Sequence, residues 1–205
     1  MKKGLFITLE GADGSGKTTQ LKKIAEYFDE HNINYLITRD PGGTDLGLKL
    51  RDILLNYEGE VSDNCELLLY LADRAQHIDT KIFPAINQGV VVVCDRHIDS
   101  TVAYQGYGRG LDIEKINLLN NIVTHSKKPD LTLLFDVDTD TASKRVGENK
   151  DRLESLSKEF HKKVRMGYLE LAKAEPERFR VLDANRSIDE VFEQVKDVLD
   201  SLVLS

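Results

Sequence analysis

Basic charge is in deficit. The 205 residues hold 28 Lys and Arg against 35 Asp and Glu, a formal net charge of -7. That balance argues against a protein that coats nucleic acid, because phosphate backbones are bound by basic surfaces. Cysteine is scarce as well. Cys65 and Cys94 are the only two, far apart and in no metal-ligand spacing, and both read as buried thiols in a reducing compartment. No apolar run approaches the ~20 residues that span a bilayer. Lys2 and Lys3 are followed by no signal-peptide pattern, so the expected location is cytoplasmic, without a membrane partner. Internal repeats and low-complexity linkers are missing too. One α/β domain over 1–205 suits this length.

Five short apolar runs are present instead: Leu5 to Leu9, Tyr35 to Thr38, Val90 to Cys94, Leu131 to Val137 and Phe179 to Leu182. Amphipathic segments of helix length lie between them. Strand alternating with helix predicts a five-stranded parallel sheet covered by helices on both faces. Ligands of such sheets collect at the carboxyl ends of the strands. Polar residues do cluster there: Glu10 with the loop after it, Arg39 to Thr44, and Asp95-Arg96-His97.

The first of these clusters is the most specific. Gly11-Ala12-Asp13-Gly14-Ser15-Gly16-Lys17-Thr18, followed by Thr19, joins the first run to a helix-compatible segment, which is the setting of a phosphate-binding P-loop. The glycines let successive N–H groups converge on phosphate oxygens, and the helix that follows adds its positive dipole end. Lys17 brings an ammonium to the β and γ phosphates, and the Thr18 hydroxyl ligates Mg²⁺. A flexible Gly/Ser loop that merely contains Lys-Thr is the plainer alternative. Asp95, at the end of the third run, stands where such enzymes place a carboxylate that orients Mg²⁺, and Arg96 offers a bidentate fork for phosphate. A strand-end ion pair between the two is the alternative there.

Helical spacing adds a third group. Tyr70 and Arg74 share a face, as do Ser100 with Tyr104 and Thr101 with Gln105. An aromatic ring can stack on a base while an arginine donates to a carbonyl such as O4 of thymine. A cation-π contact on a solvated helix explains the first pair equally simply.

Taken in order, the P-loop, Thr38-Arg39-Asp40-Pro41-Gly42-Gly43-Thr44, Asp95-Arg96-His97 with Ser100 and Ala103-Tyr104-Gln105-Gly106, and Asp151-Arg152-Leu153-Glu154 resemble the thymidylate kinase family. The resemblance covers essentially the whole chain. It implies a P-loop nucleoside-monophosphate-kinase fold with a short lid around 147–158, a homodimer, and transfer of phosphate from ATP to dTMP. It places Arg39 and Arg96 on the acceptor phosphate and Tyr70 in the base stack. Arg74, Ser100, Thr101 and Gln105 are placed on the thymine edge, Tyr104 under the sugar, and Asp13 opposite the sugar 3′-hydroxyl. As in the bacterial type, the P-loop has no arginine. The lid would then supply the cation, from Arg145 or Arg152, with Lys150 a weaker candidate. Asp40 departs from the glutamate usual in the family, and the lid holds fewer arginines than in some relatives. An ordinary solvated loop is the alternative reading of 147–158.

Three competing functions follow from the same residues. A deoxynucleoside kinase would use Asp40 as general base on a sugar hydroxyl, whereas a phosphate acceptor, largely dianionic at neutral pH, needs none. A monophosphate kinase could prefer another base. A nucleotide switch would carry Asn-Lys-x-Asp, which Asn149-Lys150-Asp151-Arg152 misses by register.

Overall fold

Each apolar run becomes a strand of one sheet, its ends within one residue of the expected ones. The computed structural model describes residues 3–146 and 152–203. Its strands are β1 (Phe6–Glu10), β2 (Tyr35–Arg39), β3 (Val91–Asp95), β4 (Leu131–Asp136) and β5 (Phe179–Asp183). They run in the order β2-β3-β1-β4-β5, every neighbouring pair parallel. All five strands end on a charged residue, so the ladder carries charge to its carboxyl edge. Leu9 pairs with both Asp95 and Leu133, which sets the loop after β1 beside the Asp95-Arg96 turn.

Both faces are covered, as a parallel sheet requires. On one, Ile7, Leu9, Val93, Leu133 and Phe135 pack against α1 (Lys17–Glu30) and α9 (Ile188–Val203) through Ile24, Phe28, Val195 and Leu199. On the other, Phe6, Val92 and Cys94 meet Ile78, Ile82 and Ile86, which lie on the continuation of α3 (Asp63–His77) into α4 (Phe83–Asn87). There α8 (Lys158–Ala174) brings Phe160, Val164 and Tyr168 to Leu134 and Phe179. The helices α2 (Asp45–Asn56), α5 (Ile98–Thr101), α6 (Ile113–Val123) and α7 (Thr139–Arg145) complete the described chain.

Two segments depart from α-helical geometry. Residues Ile78–Ile82 and Val102–Gly108 form π-helical turns. In the second, the Arg109 N–H reaches back five residues to the Tyr104 carbonyl at 2.9 Å. The widened turn re-aims Tyr104 and Gln105 relative to Ser100 and Thr101, so four-residue spacing is not the rule that aligns them. Such turns recur at functional sites.

Cys94 is buried as expected, but Cys65 is exposed. It lies in the first turn of α3, where its N–H reaches the Ser62 cap at 3.4 Å. Of the expected lid, 147–151 with Lys150 lies outside the described residues. Leu153 is buried and packs in the cluster that contains Tyr104 and Phe160. No described helix is long and apolar enough to cross a membrane.

Candidate active site

The loop from Gly11 to Lys17 is shaped to receive an anion. Gly14 has φ +78°, and a Cβ there would lie 2.4 Å from the Ala142 carbonyl oxygen; Gly16 has φ +90°. Gly16 also opens α1 with no side-chain cap, and the first turn of α1 holds no acidic residue. Its N–H groups therefore point outward with their partial positive charge unmatched by side chains. Lys17 curls over the loop and donates to the Gly11 and Ala12 carbonyls at 2.9 Å each and to Ser15 Oγ at 3.2 Å. Burial, helped by Arg96, lowers its ammonium to about 8.

Arg96 sits one residue beyond β3 with φ +68°, a left-handed backbone unusual for a side chain of this size. Its Nη2 donates to Asp13 Oδ1 at 2.6 Å and to the Tyr104 hydroxyl at 3.2 Å. Its Nη1 donates to Ser100 Oγ at 3.1 Å and the Tyr168 hydroxyl at 3.0 Å. Tyr104 donates to Asp13 Oδ2 at 2.9 Å. Burial opposes ionisation of Asp13, yet Arg96 and Lys17 hold its carboxyl well below the ordinary range.

Two clefts meet at Asp13 and Arg96. The larger, about 730 Å³, is lined by the loop with Lys17 and Thr18, by Arg39, Asp95 and Arg96, and by Arg145 and Arg186. The smaller, about 60 Å³, carries Tyr70, Arg74, Ser100, Thr101, Tyr104 and Gln105. Leu153 and Arg51 also reach it. It is narrower than the ~300–1,000 Å³ typical of ligand pockets, so a guest needs its walls to part. Asp95 keeps a buried Oδ1 with no hydrogen-bond partner. An orphan carboxylate oxygen in the cleft that holds Thr18 suits a hydrated divalent cation.

The expected residues divide into three sets. The loop, Arg39, Asp95, Arg96 and Arg145 share the larger cleft, and the Tyr70 to Gln105 group shares the smaller one. Arg145 donates to the Ala184 carbonyl at 2.9 Å, and both residues line the larger cleft. Arg152 is brought to neither. Its Nε donates to the Leu54 carbonyl at 2.9 Å and its Nη2 pairs with Glu66 Oε2 at 2.6 Å, which turns it away from the phosphate loop.

Arg74, in the smaller cleft, has contacts that its spacing did not indicate. It is 1% exposed, with all five N–H donors engaged. Nε and Nη2 clasp the Asp40 carboxylate at 2.9 and 3.2 Å, Nη1 serves Thr101 and Asn120 at 2.8 Å each, and Nη2 also reaches the His97 carbonyl at 3.1 Å. A base carbonyl arriving there would share an N–H already in use. Asp40 is equally committed: against its burial, Arg74 and His97 keep its carboxyl well below the ordinary range. A carboxylate so depressed is a poor base, which removes the residue a nucleoside kinase would use here.

Spacing gave no sign of three participants. Arg51 donates to the Pro41 carbonyl at 3.0 Å and lines both clefts, yet α2 reads as an ordinary amphipathic helix. Tyr168 reaches Arg96 from 72 residues away. Asp73 lies behind Asp40, accepting the Gly42 N–H at 3.1 Å on Oδ1 while its buried Oδ2 has no partner. Burial and the Asp40 charge raise Asp73 to about 7.

That shift has a measurable sign. Between an ordinary ~3.9 and about 7, the folded chain holds a proton on Asp73 that the unfolded chain has lost, so this group's contribution to stability falls as pH climbs through that window. Asp73→Asn keeps the acceptor for Gly42 and removes the charge. Thermal scans should find it more stable than the parent by on the order of 2 kcal/mol at pH 7.5. The difference should close toward pH 4; a constant difference across the range would refute the assignment.

A parallel sheet carrying this loop after its first strand and Asp-Arg after its neighbour, with two clefts meeting between them, defines a P-loop kinase of the nucleoside-monophosphate-kinase fold. Comparison with known proteins narrows the class. The thymidylate kinase family model matches residues 9–195. A thymidylate kinase of Clostridium novyi (strain NT) is 46% identical, covering 97% of this chain and 100% of its own. One of Carboxydothermus hydrogenoformans is 49% identical, covering 98% of both. The solved thymidylate kinase of Ehrlichia chaffeensis superposes with a TM-score of 0.80 at 39% identity, over 97% of this chain and 99% of that one. The chain belongs to the thymidylate kinase family.

Proposed function

We propose that the protein transfers the γ-phosphoryl group of ATP to dTMP, giving dTDP and ADP, and that Thr18 and Asp95 would hold the Mg²⁺ the reaction uses. The observation that carries this reading is the meeting of the two clefts at Arg96. Arg39 and Arg96 line the same cleft as the phosphate loop, and Asp40, the acid a nucleoside kinase would use as base in this reading, is locked by Arg74. Such a junction suits an acceptor that brings its own charged nucleophile.

The acceptor phosphate is largely dianionic at neutral pH. The chain's task is then to hold two polyanions in line and to neutralise charge on the transferred group. Lys17 exchanges its loop carbonyls for phosphate oxygens, and Arg96, fixed by Asp13 and two tyrosines, receives the acceptor phosphate with Arg39. Mg²⁺, when bound, neutralises charge between the donor phosphates. Arg145 is the lid-side cation of this reading. Tyr70 and Tyr104 flank the base and sugar, and Asp13 faces the sugar.

The test is an acceptor panel in a coupled ADP assay. dTMP should stimulate ADP release strongly, and thymidine and other nucleoside monophosphates weakly or not at all. Thymidine as the preferred acceptor, or nucleotide binding without acceptor-dependent turnover, would overturn the reading.

We also propose a homodimer. Support comes from exposed apolar residues on two adjacent helices: Leu68 on α3, and Leu118 and Ile122 four apart on α6. Light scattering should give twice the 23.2 kDa chain mass, and Leu118→Asp should shift it toward the single-chain value.

A further inference from the structure

Glu10 is the last residue of β1 and is wholly buried. It lines neither cleft, yet its two oxygens bear on one neighbour, Arg96. Oε1 accepts the His97 N–H at 2.7 Å, which fastens the backbone directly after the left-handed Arg96. Oε2 accepts Ser100 Oγ at 2.6 Å and the Tyr168 hydroxyl at 3.0 Å. Those same two oxygens accept from Arg96 Nη1 at 3.1 and 3.0 Å.

A hydroxyl carries one proton. When both protons point at the Glu10 carboxylate, both oxygens present lone pairs to the guanidinium. We propose that Glu10 is a positioning residue for Arg96: its ionised carboxylate sets the direction of two hydroxyl protons and fixes the backbone turn, and so aims the guanidinium at the acceptor phosphate. The proposal rests on the reading of Arg96 as the acceptor-phosphate ligand.

A protonated Glu10 would donate to one of the hydroxyls, whose own proton then turns toward Arg96 or toward the other hydroxyl 2.8 Å away, so the two oxygens no longer both hold their lone pairs on the guanidinium. Glutamine makes the same exchange permanently at nearly the same shape. The groups facing Glu10 from around it are Asp99 of α5, itself clasped by Arg178 at 2.7 and 2.8 Å, together with Arg96 and Ser100, Tyr168 of α8, Lys17 of α1 and Cys94 of β3. His97 gives its N–H, and burial pushes its ring below the ordinary imidazole range. Burial and Asp99 together raise Glu10 to about 7, so deprotonation falls within the working pH range.

The experiment compares the full-length protein with Glu10→Gln and with Tyr168→Phe, which removes one of the two oriented hydroxyls. At pH 8, Glu10→Gln should raise KM for dTMP about tenfold or more, the loss expected of hydrogen bonds to a charged group, and leave KM for ATP within about twofold. Tyr168→Phe should move the same constant in the same direction by less. The ratio of kcat/KM for dTMP, parent over Glu10→Gln, should fall toward one as pH drops through about 7. Ionisation of the substrate phosphate and of Asp73 is common to both proteins and cancels in that ratio.

A ratio flat with pH, or equal rises in KM for both substrates, would overturn the inference and mark Glu10 as part of the general packing. So would unchanged kinetics in a folded variant. A parent protein inactive toward dTMP would instead overturn the proposed function.

Discussion

Arg96→Ala is expected to lower turnover at saturating ATP and dTMP at least ~100-fold, the usual cost of removing one preorganised donor to developing charge. The structure gives reasons for expecting a loss of this size. The guanidinium is held by Asp13, Ser100, Tyr104 and Tyr168 at once, so nothing flexible can take its place. Lysine should not restore the rate, because a point charge on a mobile stem cannot reproduce a planar fork. Steady-state kinetics alongside a melting curve separate the effect from unfolding. Near-parental kcat in a folded Arg96→Ala protein would remove Arg96 from the chemistry.

The second large effect is on stability. Arg74→Ala should cost about 3–5 kcal/mol, because it leaves the buried Asp40 carboxylate without its counter-charge. Thr101, Asn120 and the His97 carbonyl lose their donors in the same step. For a chain of this length the melting temperature should drop by roughly 10 °C. The pH dependence has a defined sign. Asp40 is held below its ordinary range, so the contribution is complete above ~3.9 and fades as pH falls further. The gap between parent and variant should therefore narrow only in acid. A loss below about 1 kcal/mol at neutral pH would mean that water reaches the pair.

Much of this was legible in the sequence, for identifiable reasons. The central strands β1, β3 and β4, buried on both faces, leave long apolar runs, while the edge strands β2 and β5 are partly exposed and stood out by their short apolar stretches between helix-length segments. The phosphate loop carries its geometry in its glycines and in the strand and helix beside it. Asp95 and Arg96 were legible from their place after a strand. What escaped depended on distance or on backbone register. The π-helical turn at Val102–Gly108 changes a hydrogen-bond step that hydrophobic spacing does not record. Arg74 lines the smaller cleft from the helical face its spacing gives, but spacing does not record its partners Asp40, Thr101 and Asn120, 27 to 46 residues away. Arg152 and Glu66 meet across a still longer gap. Cys65 was misread because the general tendency of thiols toward burial yields to an outward-facing helix turn.

The Arg74 centre also bears on how the chain finds its fold. One guanidinium is satisfied only when the loop after β2, the turn after β3, α5 and α6 have all arrived around α3. If any of them slips by a single turn, a bare cation is stranded in an oily interior, and near-miss assemblies of the same elements stand far uphill of the correct one.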